Sequence, residues 1–155
     1  MSAVARMRVE GFDALMKAFD NFADITEVSI KAVNVTAPVL EKSLKNQIAG
    51  AVKKGYSVDH ELERSIAARP AKKNQYGVFS VIGPVGSDSK GVSNAKKLAI
   101  LEYGRRGGYK DSRGREVPPQ EPCAGLRDKA VESVRSECNE LIQKGIDSYL
   151  DKLWG

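Results

Sequence analysis

His60 is the only histidine in the chain, so any imidazole-based triad or metal site has to be built around it. Its neighbours Asp59, Glu61 and Glu63 offer the oxygen donors that a hard cation accepts. Acidic residues also gather in the first turn of a helix, where they face the positive end of the helix dipole, and the spacing fits that role better. Zinc needs three or four ligands brought close together, which one histidine and the distant Cys123 and Cys138 do not supply. The chain contains no Gly-x-x-x-x-Gly-Lys-Ser/Thr phosphate loop and no Gly-x-Ser-x-Gly nucleophile elbow. Gly83-Pro-Val-Gly86 and Gly104-Arg-Arg-Gly-Gly108 miss the dinucleotide fingerprint and fit turns instead. No catalytic residue, metal ligand or cofactor is therefore assigned, and the chain is expected not to be an enzyme.

The one surface with functional promise is basic. Residues 104–119 hold Arg105, Arg106, Lys110, Arg113 and Arg115, offset only by Asp111 and Glu116. Gly104, Gly107, Gly108 and Gly114 give this stretch the composition of a flexible loop, and Pro118-Pro119 stiffens its exit. Three roles compete. The loop touches nucleic-acid phosphates without sequence selectivity, with Tyr103 and Tyr109 stacking; or it is a solvated loop; or it orders against the acidic surface of a neighbouring subunit. Long loops inside a compact domain usually have a task, which weighs against the second role.

The elements that must hold this loop follow from periodicity. Met7 to Gly11 alternates weakly as a leading strand, and Phe12, Leu15, Met16, Phe19 and Phe22 fall at helical spacing. Ile25, Val28, Ala32, Val35 and Val39, then Leu40, Leu44, Ile48 and Val52, predict a long helix over 24–54, kinked at Pro38, with Thr36 capping its second segment. Asp59 to Ile66 predicts a turn or short helix, and 66–71 a strand. Tyr76 to Gly83 gives the clearest strand, because it combines β-branched and aromatic residues between turn signals. Pro84 to Gly91 has the composition of a mobile polar loop, and Asn94 to Tyr103 of a short helix. From Cys123, an apolar face runs through Leu126, Ala130, Val134, Cys138, Leu141, Gly145, Tyr149 and Leu153. On such a helix the two cysteines stand about 22 Å apart, beyond disulfide reach, and Cys138 fits a packed core thiol.

The expected fold class is α+β, a small antiparallel sheet packed with long N-terminal and C-terminal helices. A length of 155 residues points to a single domain over 1–155. Hydrophobic residues make up 41% and charged residues 29%, enough for a core without disulfide or metal support. The net charge of +5 permits an acidic partner or nucleic acid without demanding either. No signal-peptide stretch or membrane-length apolar run is visible, so synthesis in a reducing cytoplasm with no membrane contact is expected.

The order of these elements resembles the tail-completion, or head–tail joining, proteins of long-tailed bacteriophages. The matching segments are Val9-Glu-Gly-Phe-Asp-Ala-Leu15, the long helix, Glu61-Leu-Glu-Arg-Ser-Ile66, Val81-Ile-Gly83, Leu101-Glu-Tyr-Gly104 and Pro119-Gln-Glu-Pro122 before a final helix. The family commonly shows Pro-x-Pro-Phe and then Pro-Ala at the last place, where this chain has Gln120-Glu121-Pro122-Cys123-Ala124. The resemblance implies a structural virion protein of the phage neck, made in the bacterial host cytoplasm and working as a homo-oligomer. That oligomer is a ring of about six copies, a hexamer. Its implied partners are the head-side connector or stopper and the tail terminator or tube proteins, with DNA in transit as a non-specific contact. Leu101, Glu102, Tyr103 and Gly104 would then anchor the basic loop. The alternative reading is a small basic nucleic-acid-binding accessory protein.

Overall fold

The structure, a computed structural model, describes residues 25–154 except Ser57. The leading strand and first helix expected between Met7 and Phe22 lie outside the described residues. Helix α1 (Ile25–Lys53) runs unbroken through Pro38. Thr36 does not cap a second segment; its hydroxyl donates back to the carbonyls of Ala32 (3.2 Å) and Val33 (3.1 Å) within the same helix. Continuity fixes which face is buried. Ala37, Leu44, Ile48 and Ala51 point inward, at steps of seven, four and three, whereas Val35 is half exposed. The stripe expected before Pro38 is therefore out of phase with the one after it, because a supposed break at Pro38 let the pattern change phase where the helix does not.

Asp59 starts helix α2 (His60–Ser65) by accepting the Leu62 amide at 3.1 Å on its side chain. Strands β1 (Ile66–Ala68), β2 (Lys72–Asn74), β3 (Gly77–Phe79) and β4 (Ile82–Pro84) follow. β1 pairs antiparallel with β4, and β2 with β3. The single strand expected from Tyr76 to Gly83 is thus two strands. Ile66 opposes Pro84 and Ala68 opposes Ile82, yet Lys72 opposes Phe79, so residues 69–71 face only 80 and 81. Pro70 sits in this surplus and brings no amide to a ladder, which is why the pairing lapses there and the 66–71 strand stops early. Arg69 bridges the gap, its amide donating to Val81 and its carbonyl accepting from the Ser80 hydroxyl.

This ribbon lies along α1, with Ala68, Ala71 and Lys73 donating to Glu41, Asn34 and Thr26 in turn. The polar loop before helix α3 (Asn94–Tyr103) is closed by Asp88, which accepts the amides of Lys90 and Val92 (2.9 and 2.7 Å). A third antiparallel pair, β5 (Tyr109–Lys110) and β6 (Glu116–Val117), precedes helix α4 (Leu126–Trp154). Because α4 begins at Leu126, Cys123 stands outside it, and both cysteines are free.

α1 and α4 pack together antiparallel. Ser43 donates to the Ala130 carbonyl (2.7 Å) and meets the Ser133 hydroxyl (2.8 Å), while Tyr56 reaches the Pro122 carbonyl (3.4 Å) at the other end. The fold class is α+β, as the sequence implies. One core joins Leu44, Ile48, Ala51, Leu62, Ile66, Leu98, Leu101, Leu126 and Ala130. Among the described residues the deep part of α4 is Leu126 and Ala130; Cys138 is half-buried, and burial raises its thiol pKa. Among the described residues no helix is long and apolar enough to cross a membrane. Truncation of the fully buried Ile48 tests this core: Ile48→Ala should lower unfolding free energy by about 2–5 kcal/mol in urea melts, against under about 0.5 kcal/mol for the exposed Val35→Ala.

Candidate functional site

The basic stretch leaves the body from the end of α3. Leu101 is fully buried, and Glu102 is only 7% exposed. A carboxylate so enclosed needs a cation and hydrogen bonds to offset its loss of water. Arg127, at the start of α4, supplies them through an ion pair with Glu102. The same guanidinium donates to the Tyr103 hydroxyl (2.6 Å) and stacks over its ring, 5.6 Å from the centroid. The Cys123 amide donates to the Leu101 carbonyl at 2.7 Å. Leu101, Glu102 and Tyr103 therefore tie α3 to the start of α4. Gly104 completes the tie: its φ is +77°, and a Cβ there would lie 2.8 Å from the Gln120 carbonyl oxygen.

Beyond Gly104 the chain forms a paired arm, where the composition suggested an unstructured loop. Arg105 and Gln120 exchange two backbone hydrogen bonds of 2.9 Å, and the Gly108 amide donates to Val117 at 3.2 Å. Tyr109 then opposes Val117, and Lys110 opposes Glu116. Asp111 builds the tip. Its carbonyl accepts from Gly114, and one carboxylate oxygen accepts the amides of Arg113 (2.8 Å) and Arg115 (3.0 Å). The other oxygen holds the Arg115 guanidinium at 2.7–2.8 Å. Asp at the first and Gly at the fourth turn position is the signal that could have revealed this hairpin in the sequence. At the base, a Cβ on Gly107 would fall 2.4 Å from Pro119, so only glycine fits.

The five cations named from the sequence therefore have unlike roles. Arg115 is held by Asp111, and Arg105 donates from Nε to the Pro118 carbonyl (3.1 Å). The side chains of Arg106, Lys110 and Arg113 are exposed and have no partner among the described residues. Tyr109 stands half exposed beside them.

The acidic residues around His60 separate in space. Glu63 pairs with the His60 ring at 3.1 Å. Asp59 and Glu61 instead gather with Asp88, their oxygens within 4.8 Å of one another, a contact that sequence spacing does not reveal. Lys97 already supplies a positive charge there, its ammonium 2.6 Å from Asp59 and 2.5 Å from Asp88. Burial works against the Lys97 charge, but the bonds to Asp59 and Asp88 outweigh it and hold its pKa above the ordinary value. The hydrogen bond from Lys97 holds both carboxyls below theirs. A metal ion at this place would have to displace that ammonium.

Two tests address the arm. The amide and guanidinium of Arg115 hold the Asp111 carboxyl near pH 2, below its ordinary 3.8. The turn is thus favoured above pH 3.8 and loses that contribution as pH falls through about 2, which carboxyl NMR titration should show. Gly107→Ala should strain the base by about 1–3 kcal/mol and speed exchange of the Gly108 amide about tenfold, with helical circular dichroism unchanged. Compared with known proteins, the chain matches no family model, no curated protein and no solved structure.

Proposed function

We propose that the chain is a non-catalytic structural subunit of the neck of a tailed phage, one copy in a ring that joins the head connector to the tail. The observation that carries the reading is the joint work of the segments that resemble head–tail joining proteins. Glu61 to Ile66 supplies the buried Leu62 and Ile66, and Ile82 and Gly83 pair with the strand that Ile66 opens. Leu101 to Gly104 forms the anchor, and Gln120 with Pro122 closes the arm base against Gly104. Segments that are short motifs in sequence thus meet around one core and one arm. An architecture whose most distinctive surface is a paired arm on a helical body suits assembly contacts.

A second reading, a small nucleic-acid-binding accessory protein, draws on the unpaired Arg106, Lys110 and Arg113 beside Tyr109. It requires DNA binding that falls steeply with salt.

Immunogold labelling of particles from a producing lysate separates the two. Label at the head–tail junction is expected, and deletion of the gene should leave filled heads without tails. Particles that carry no label, together with normal tail attachment in the deletion, would remove the neck reading.

A further inference from the structure

Unpartnered charges of opposite sign stand on two parts of the chain. The arm presents Arg106, Lys110 and Arg113 without acceptors. On α4, Glu137, Glu140, Lys144, Asp147 and Asp151 recur in steps of three and four, which sets them on one helix face, and all five are exposed. That face carries four carboxylates against one amine. Among the described residues no ion pair engages any of the four; Asp147 accepts only the Gln143 side-chain amide, at 2.8 Å.

The dimensions agree. From Glu137 to Asp151 the face runs about 21 Å along the helix, and a hairpin strand of the arm's length reaches about 20 Å. The arm leaves next to Glu102, which pairs with Arg127 at the start of α4, whereas the acidic face begins about 15 Å farther along that helix, and among the described residues no ion pair joins the two within one chain. We propose that the arm of one copy docks along the Glu137, Glu140, Asp147 and Asp151 face of α4 in a second copy. Each chain then gives one arm and receives one, a head-to-tail contact that closes into a ring if the rotation permits. The proposal rests on the ring reading above and supplies its contact. Nucleic acid is the weaker occupant because Asp111 and Pro118 engage two of the arm's five cations, while the chain carries a matching acidic surface of its own.

Charge reversal in the full-length chain tests the docking. The unaltered protein, R106E/K110E/R113E, E137K/E140K/D147K and the variant combining all six changes are sized by light scattering at low salt, with circular dichroism as the folding check. The unaltered protein should form a multimer that dissociates in about 0.5 M salt. Either triple variant should fall to the 16.9 kDa of a single chain, and the combined variant should regain the multimer. Triple variants that stay as large as the unaltered protein overturn the docking and leave the ring reading standing. An unaltered protein that is monomeric at every concentration removes the ring reading and the docking together. Loss of duplex-oligonucleotide binding in R106E/K110E/R113E with no change in mass would assign the arm to DNA and overturn the docking.

Discussion

The arrangement hinges on one enclosed charge. Glu102 is taken out of water at the end of α3, and a buried carboxylate without a partner costs several kcal/mol. Arg127 meets that cost from the first turn of α4, and its guanidinium also fills the space against Tyr103. The consequence is positional. The last turn of α3 and the first turn of α4 are held together, so both feet of the arm spring from a fixed seam. The Cys123 amide on the Leu101 carbonyl and the tight approach of Gly104 to Gln120 close that seam from the backbone side. Removal of Arg127 alone would leave Glu102 buried and uncompensated, a worse state than an apolar pair of the same size.

What the sequence made legible was local. The span of the first long helix, the short helix that begins near Asp59 and the limits of α3 all follow from near-neighbour chemistry, whereas α4 starts three residues beyond the expected Cys123. What stayed hidden depended on partners far along the chain or on one wrong assumption about a proline. Pro38 reads as a break, yet it lies inside a continuous helix, and the phase error it caused placed Val35 where Ala37 belongs. Pro70 had the converse effect: it looks incidental and yet divides one apparent ribbon into two ladders. The grouping of Asp88 with Asp59 and Glu61 around Lys97 comes from the fold of the 85–93 loop, which no spacing rule anticipates.

The arm shows how composition and structure part company. Four glycines and a run of cations suggest a chain without fixed form. Two of those glycines have the opposite effect: Gly104 and Gly107 allow an approach so close that any larger residue would be excluded. Asp111 accepts the amides of Arg113 and Arg115 and pairs with the Arg115 guanidinium, so one of the five cations is turned into internal structure. The net charge of the segment therefore overstates what it offers to a partner.

Order in the arm also bears on the kinetics of any contact it makes. A disordered basic segment must lose its conformational freedom as it binds, and that loss is subtracted from the affinity. An arm already fixed at its base by Gly107 against Pro119 and at its tip by Asp111 has met that cost during folding. Its exposed guanidinium and ammonium groups then act chiefly on encounter, raising the association rate at low ionic strength. The residence time of such a contact depends instead on how closely the paired hairpin fits the surface it meets. Salt and shape thus govern separate steps, and a substitution in the arm can slow arrival without shortening the stay.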